Sequence, residues 1–222
     1  TVVDRLIDAL RQGEGAYSLV AMTQKKLIGV RDPRGVRPLV LGKLDSAYIL
    51  ASETCALDII DAEFIRDVEP GEIVVIDNDG IQSIKPFAKL KDRFCIFEYI
   101  YFARPDSMME GKNVYEVRKR IGAELAKEKH VPADLVVPVP DSGVPAAIGY
   151  AEESKIPFDL GIIRNHYTGR TFIEPSAEIR NLGVRLKHNA NSAYLAGKRV
   201  ILVDDSIVRG TTSKKIVSMG RA

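Results

Sequence analysis

The sequence is short of cysteine: Cys55 and Cys95 are the two it has in 222 residues. Two thiols do not make a disulfide framework, so a reducing cytoplasm is the expected compartment. Charge of one sign is lacking as well. The formal net charge is +2, and no global field draws the chain to nucleic acid or to a membrane surface. There is neither a basic stripe nor a recognition-helix unit of the kind that reads DNA. No apolar run approaches the length of a membrane span, and no basic-then-apolar leader is present. His166 has no companion ligand cluster, so it is discounted as a metal ligand.

What the chain does have is an ordinary globular composition, 45% hydrophobic and 28% charged, with ample material for a core. Its length accommodates one large or two small domains. It begins with Thr1 rather than Met, directly in a helical pattern of Val3, Leu6, Ile7 and Leu10. It stops at Ala222, just after a helical stretch where a parallel sheet normally adds another strand. The expectation is an internal stretch of a longer protein.

The most informative segment is VILVDDSIVRGTT, Val200 to Thr212. Four apolar residues run into two carboxylates, Asp204 and Asp205, then a polar turn, then a helical pattern from Ser213 to Met219. The apolar run reads as a buried parallel strand. Strand, tight loop and helix is how open α/β sheets build ligand sites, at the carboxyl ends of the strands. Gly210 permits close backbone approach, and the first amides of the helix are free to hold a phosphate. Asp204 and Asp205 can accept from sugar hydroxyls or hold a hydrated Mg²⁺. A single ligand carrying a phosphate and a diol satisfies both halves.

A second strand–loop–helix unit lies upstream. Leu135–Val139 runs into Pro140-Asp141-Ser142-Gly143, and Pro145 opens a helix. By itself this is either an anion loop or a plain turn before a helix. Between the two units, Leu160–Ile163 reads as a strand leading into the polar loop RNHYTGRTFIEPS, Arg164 to Ser176. That loop is either a lid over an anionic ligand or a surface loop. Arg185 and Lys187 read as a solvated basic face.

The motif from Val200 to Ser213 resembles the signature of type I phosphoribosyltransferases, which bind 5-phosphoribosyl 1-pyrophosphate (PRPP). The form VDDSIVRGTTS is similar to that of the amidophosphoribosyltransferases within them. The resemblance implies that Asp204, Asp205, Ser206, Val208, Arg209, Gly210, Thr211 and Thr212 hold the ribose and its 5-phosphate. It implies that Asp141, Ser142 and Gly143 hold the pyrophosphate, with Ser142, Asp204 and Asp205 around Mg²⁺. It also places Arg164, Tyr167, Gly169 and Arg170 on a flexible loop that closes over PRPP. Here Arg164, His166 and Thr168 stand where the family typically has Lys, Arg and Val. Some members carry a [4Fe–4S] cluster, and Cys95 sits where one ligand falls; on residue type alone it reads as a buried small hydrophobe.

The first half shows many short strands separated by turn signals, with mainly antiparallel pairing expected. They are Ala16–Met22, Lys26–Val30, Leu39–Leu41, Ala47–Ser52, Glu72–Ile76 and Ile81–Ile84. Arg31, Arg34 and Arg37 read as an exposed hairpin end rather than an anion site. The aromatic stretch Arg93–Ala103 suits a buried strand or a crossing between domains. Val114, Val117, Ile121 and Leu125 share one helical face. RDPRGVRPL, SETCALD and VEPGEIVVID are similar to the later part of the family's glutaminase domain.

The resemblance therefore implies two incomplete α/β domains. Residues 1–91 would be the C-terminal part of an Ntn-hydrolase-type glutaminase, an αββα sandwich. Residues 92–222 would be a phosphoribosyltransferase domain, a parallel sheet flanked by helices. The implied reaction converts PRPP, glutamine and water to 5-phosphoribosylamine, glutamate and pyrophosphate, the committed step of purine synthesis. Implied partners are PRPP, glutamine, purine nucleotide effectors and further copies of the chain, with no nucleic acid and no membrane. No catalytic residue is assigned, because the family's N-terminal cysteine nucleophile is not matched. Thr1 is rejected as a substitute, since an Ntn nucleophile begins a strand and TVVDRLIDALRQ is helical in period. The alternatives are a simple nucleobase phosphoribosyltransferase, which leaves Thr1–Lys91 unexplained, and a non-catalytic PRPP-binding regulator.

Overall fold

A computed structural model describes residues 1–165, 188–207 and 210–220. The chain divides into two compact units. Unit 1 comprises Thr1–Glu98 with Phe102–Val114; unit 2 comprises Tyr99–Tyr101 with Tyr115–Ala222.

Unit 1 opens with α1 (Val2–Arg11), capped by Thr1. The Thr1 hydroxyl accepts from the Asp4 amide, and the Asp4 carboxylate answers the Thr1 ammonium in a capping box. The expected stripe of Val3, Leu6, Ile7 and Leu10 packs on Ile28, Val30, Ile73 and Val75. Those four residues belong to a sheet of β1 (Ser18–Met22), β2 (Leu27–Arg31), β6 (Ile73–Asp77) and β7 (Gly80–Ile84), antiparallel in that order. A second antiparallel sheet has the order β4-β3-β5, from β3 (Val40–Leu44), β4 (Ala47–Ala51) and β5 (Glu63–Asp67). Leu39, Leu41, Val68 and Val74 form the core between the sheets. Helix α2 (Thr54–Asp58) lies on the other side of the second sheet, where Leu57 covers Gly42. The layers thus run helix, sheet, sheet, helix. Strand β5 is absent from the sequence reading: Glu63, Phe64 and Ile65 are exposed, so it lacks the buried alternation that marks a strand.

The basic cluster is an exposed hairpin end only in part: Arg34 is exposed, Arg37 is half-buried and Arg31 is buried. Arg31 is 3% exposed and donates to the carbonyls of Arg37, Val68 and Gly35 and to Glu110. Asp32, wholly buried, accepts from the amides of Arg34, Val36 and Arg37. Arg37 pairs with buried Glu98 at 2.9 Å, its guanidinium over the Phe102 ring. Arg31 and Asp32 fold inward because each finds its acceptors or donors there.

The aromatic stretch is not a strand either. The Arg93 and Cys95 amides bond to the Arg34 and Val36 carbonyls, and the chain then coils into a π-helical turn, Glu98–Phe102. After it, Glu53 accepts from the Arg104 amide and the Ser107 hydroxyl, and the Thr54 hydroxyl accepts from the Met108 amide. A small hairpin of β8 (Met108–Met109) and β9 (Lys112–Asn113) completes unit 1.

Unit 2 is built on β10 (Leu135–Pro138) and β13 (Val200–Val203), paired in parallel from Leu135↔Val200 to Pro138↔Val203. Phe158 adds a parallel bridge on the other edge of β10, at Val136. Both faces are covered. Val136 and Val203 pack with Ala126 of α3 (Val114–Glu128) and with Ala147, Tyr150 and Ala151 of α4 (Val144–Ser154). Leu135, Val137 and Val139 pack the opposite way. Their partners come from β11 (Ile162–Arg164), β12 (His188–Ala190), α5 (Ser192–Leu195) and α6 (Thr211–Gly220). Burial on both faces is why the Leu135–Val139 run is apolar; Val200–Leu202 are half-buried and Val203 is buried.

Helix α3 buries a different face from the one its apolar residues mark. Val114, Arg118, Gly122 and Ala126 are buried, while Ile121 and Leu125 are exposed. A Cβ on Gly122 would stand 1.8 Å from the Ala146 carbonyl oxygen, and one on Gly149 1.8 Å from that of Lys119. The two helices cross backbone to backbone at these glycines, and that contact fixes the rotation of α3.

Candidate functional site

Both loops singled out in the sequence leave the carboxyl ends of adjacent parallel strands. Pro140–Gly143 follows β10, and Asp204–Ile207 follows β13. They meet at Gly143. A Cβ there would lie 2.3 Å from the Val203 carbonyl oxygen and 3.2 Å from Asp204 Cα, so a larger residue would force the loops apart. The Gly143 amide donates to the Val139 carbonyl at 2.9 Å, and the Val139 amide to the Val203 carbonyl at 2.8 Å. Gly143 then caps α4, whose first turn holds Pro145.

The acidic pair sits half-buried at the end of β13. Asp204 Oδ1 accepts from the Asp205 amide at 2.9 Å, and Asp205 Oδ1 accepts from the Ser206 hydroxyl at 2.7 Å. Asp205 Oδ2 is buried with no hydrogen-bond partner among the described residues. Burial pushes the Asp204 carboxyl above the usual carboxylate range; the Asp205 amide opposes this, and the Asp205 charge adds to it. An unpaired carboxylate oxygen in such a place is an acceptor awaiting a hydroxyl or a hydrated cation. Gly210, at φ +68°, ends the loop, and its carbonyl accepts from the Lys214 amide at the start of α6.

The turn after β10 is held from its other side by the β11–β12 ladder. Arg164 forms an ion pair with Asp141. His188, paired with Arg164 across the ladder, is 6% exposed and lies with Nε2 3.0 Å from the Pro140 carbonyl oxygen. Sequence reasoning passed over His188; its only signal was its place between Lys187 and Asn189, and the cross-strand register that gives it meaning is not legible there.

Asp141, Ser142, Gly143, Arg164, Asp204, Asp205, Ser206 and Gly210 are thus gathered on the strand-end side of unit 2. Val208, Arg209, Tyr167, Gly169 and Arg170 lie outside the described residues, as do His166, Thr168, Arg185 and Lys187. Thr211 and Thr212 begin α6. Among the described residues, no three His, Cys, Asp or Glu side chains form a metal cage. Two carboxylates and a hydroxyl fit Mg²⁺, which keeps its waters and binds through one or two carboxylates plus ligand phosphates. Cys95, where the resemblance puts one [4Fe–4S] ligand, is half-buried, and Cys55 is buried.

No family model matches the chain. Among curated proteins, the amidophosphoribosyltransferase of Rhizobium etli is 64% identical over 98% of this chain and 45% of its own length. Those of Glycine max (chloroplastic) and Bacillus subtilis are 56% and 49% identical, and the matches take in 38% and 46% of those proteins. The chain therefore spans less than half the length of these relatives. The solved B. subtilis glutamine PRPP amidotransferase, complexed with ADP and GMP, superposes with a TM-score of 0.91 at 49% identity, over 100% of this chain and 49% of that one. Along nearly its entire length the chain matches a part of amidophosphoribosyltransferases.

Proposed function

We propose that this chain is the part of an amidophosphoribosyltransferase that holds PRPP, joined to a portion of its glutaminase. Residues 1–91 are read as the glutaminase portion of Ntn type and 92–222 as the phosphoribosyltransferase portion. The reaction is the conversion of PRPP, glutamine and water to 5-phosphoribosylamine, glutamate and pyrophosphate, the first step of purine biosynthesis. The observation that carries this reading is the meeting at Gly143 of two strand-end loops, one of them bearing a buried Asp205 oxygen with no partner among the described residues.

In this reading each loop takes one end of the ligand. Asp204 and Asp205 accept from the ribose hydroxyls and orient C1. Ser206, Val208, Arg209, Gly210, Thr211 and Thr212 wrap the 5-phosphate, with the amides at the start of α6 as donors. Asp141, Ser142 and Gly143 receive the pyrophosphate, and Arg164, Tyr167, Gly169 and Arg170 close over it to exclude water. Mg²⁺, held by Asp204, Asp205 and Ser142, would stabilise negative charge on the departing pyrophosphate. Ammonia is itself a nucleophile, so no general base is needed at C1. Purine nucleotides as effectors, self-association and a cytoplasmic setting belong to the same reading.

Titration of PRPP with Mg²⁺ into this chain, followed by calorimetry, tests it. The wild type binds, and Asp204→Asn with Asp205→Asn lowers affinity by about a hundredfold or more, since each charged acceptor contributes roughly 1.5–3 kcal/mol. Unchanged affinity in the double variant contradicts the proposal.

A further inference from the structure

The Pro140–Gly143 turn is gripped from one place. Arg164 and His188 face each other across the β11–β12 ladder, and they reach consecutive residues of the turn: His188 the Pro140 carbonyl, Arg164 the Asp141 carboxylate. The two contacts differ in kind. His188 is buried, and since a carbonyl can only accept, its Nε2 is the protonated ring nitrogen and donates. The Arg164–Asp141 pair is partly open to solvent, with side-chain exposures of 35% and 58%. Arg164 Nε, buried, has no partner among the described residues. On the far side, the Gly143 amide and the Val203 carbonyl fix the other end of the turn.

We infer that Arg164 and His188 form a cross-strand clamp, in which His188 is a positioning residue that pre-sets the Pro140–Gly143 turn for a diphosphate. This rests on the proposed function, which brings pyrophosphate to that turn. His188 holds the Pro140 peptide in one orientation, so Asp141 and Ser142 do not have to be ordered when the anion arrives. Arg164 is the exchangeable half. Its Nη1 rests on Asp141 and its Nε has no partner among the described residues, and a diphosphate, a stronger multi-point acceptor, takes both. Neither role follows from residue type; both follow from the register that sets Arg164 opposite His188.

The test is calorimetry on the whole chain with two probes, inorganic pyrophosphate with Mg²⁺ and ribose 5-phosphate. His188→Leu lowers pyrophosphate affinity about tenfold, the loss of one hydrogen bond that holds the site. His188→Gln, which can still donate to the Pro140 carbonyl, stays within about threefold of wild type. Ribose 5-phosphate, bound at the other loop, is unaffected in both. Wild-type pyrophosphate affinity in His188→Leu overturns the clamp, as does equal loss of both ligands or failure of Gln to restore binding. A wild type that binds neither probe overturns the proposed function instead. Nitrogen-15 NMR of the wild-type His188 ring decides the clamp without a variant. A proton on Nε2 protected from exchange is expected, and a ring carrying its proton on Nδ1 alone refutes it.

Discussion

Asp32 and Asp205 invite comparison. Each follows a β-strand, β2 or β13, and in sequence each precedes an Arg-Gly pair. Their surroundings are opposite. Asp32 is fully buried, and its two oxygens take three backbone amides. Asp205 spends one oxygen on Ser206 and keeps the other buried, with no partner among the described residues. A polar group whose bonds are complete holds the fold; one left incomplete is held by the fold for something else. By this criterion the basic, acidic turn of unit 1 is scaffold, and the acidic turn of unit 2 is the proposed site.

Substitution breaks the two sides of the comparison in different ways. The largest stability effect is expected at Asp32. Asp32→Ala strands three partly buried amides and costs about 3 kcal/mol or more in urea unfolding. Glu72 sharpens the same point. Burial pushes its carboxyl up, but the Arg66 guanidinium, the Ser83 hydroxyl and the Glu69 amide outweigh burial and hold it at about 2. Its folded-state value lies below the ordinary 4.5. Its stabilisation is therefore complete above about pH 4.5 and is lost as pH falls toward 2. Glu72→Gln costs about 2–3 kcal/mol at pH 7, and the gap to wild type closes through that window. A gap that stays constant with pH contradicts the ion-pair account.

Asp204 has the opposite sign and the smallest effect. Its carboxyl is raised by burial, so ionisation at neutral pH works against the fold; stability from this group is full below about pH 4 and declines as pH rises. Asp204→Asn raises the melting temperature at pH 7 by about 2 °C, and the gain disappears in acid. A site residue whose removal stabilises the protein is the counterpart of Asp32.

The elements that position the site were largely legible. Apolar runs, Leu135–Val139 and Val200–Val203, signalled the two parallel strands, of which the first is fully buried and the second half-buried, and the DD and PDSG turns marked their ends. What was not legible depends on pairing across the chain. The inward turn of Arg31 depends on carbonyls of Gly35, Arg37 and Val68. The rotation of α3 depends on the Gly122 crossing, which outweighs the apolar claim of Ile121 and Leu125. His188 acquires a role only through its register with Arg164.

The most direct test is the melting temperature of wild type and of Asp204→Asn with Asp205→Asn, each with and without Mg²⁺ and PRPP. Without ligand the double variant melts at or above wild type. With saturating ligand the wild type gains about 3–4 kcal/mol of stability at a hundred- to a thousandfold excess over its dissociation constant, and the variant gains none. A variant that is destabilised on its own yet gains as much from ligand as wild type would place Asp204 and Asp205 in the scaffold with Asp32, and the central claim would fall.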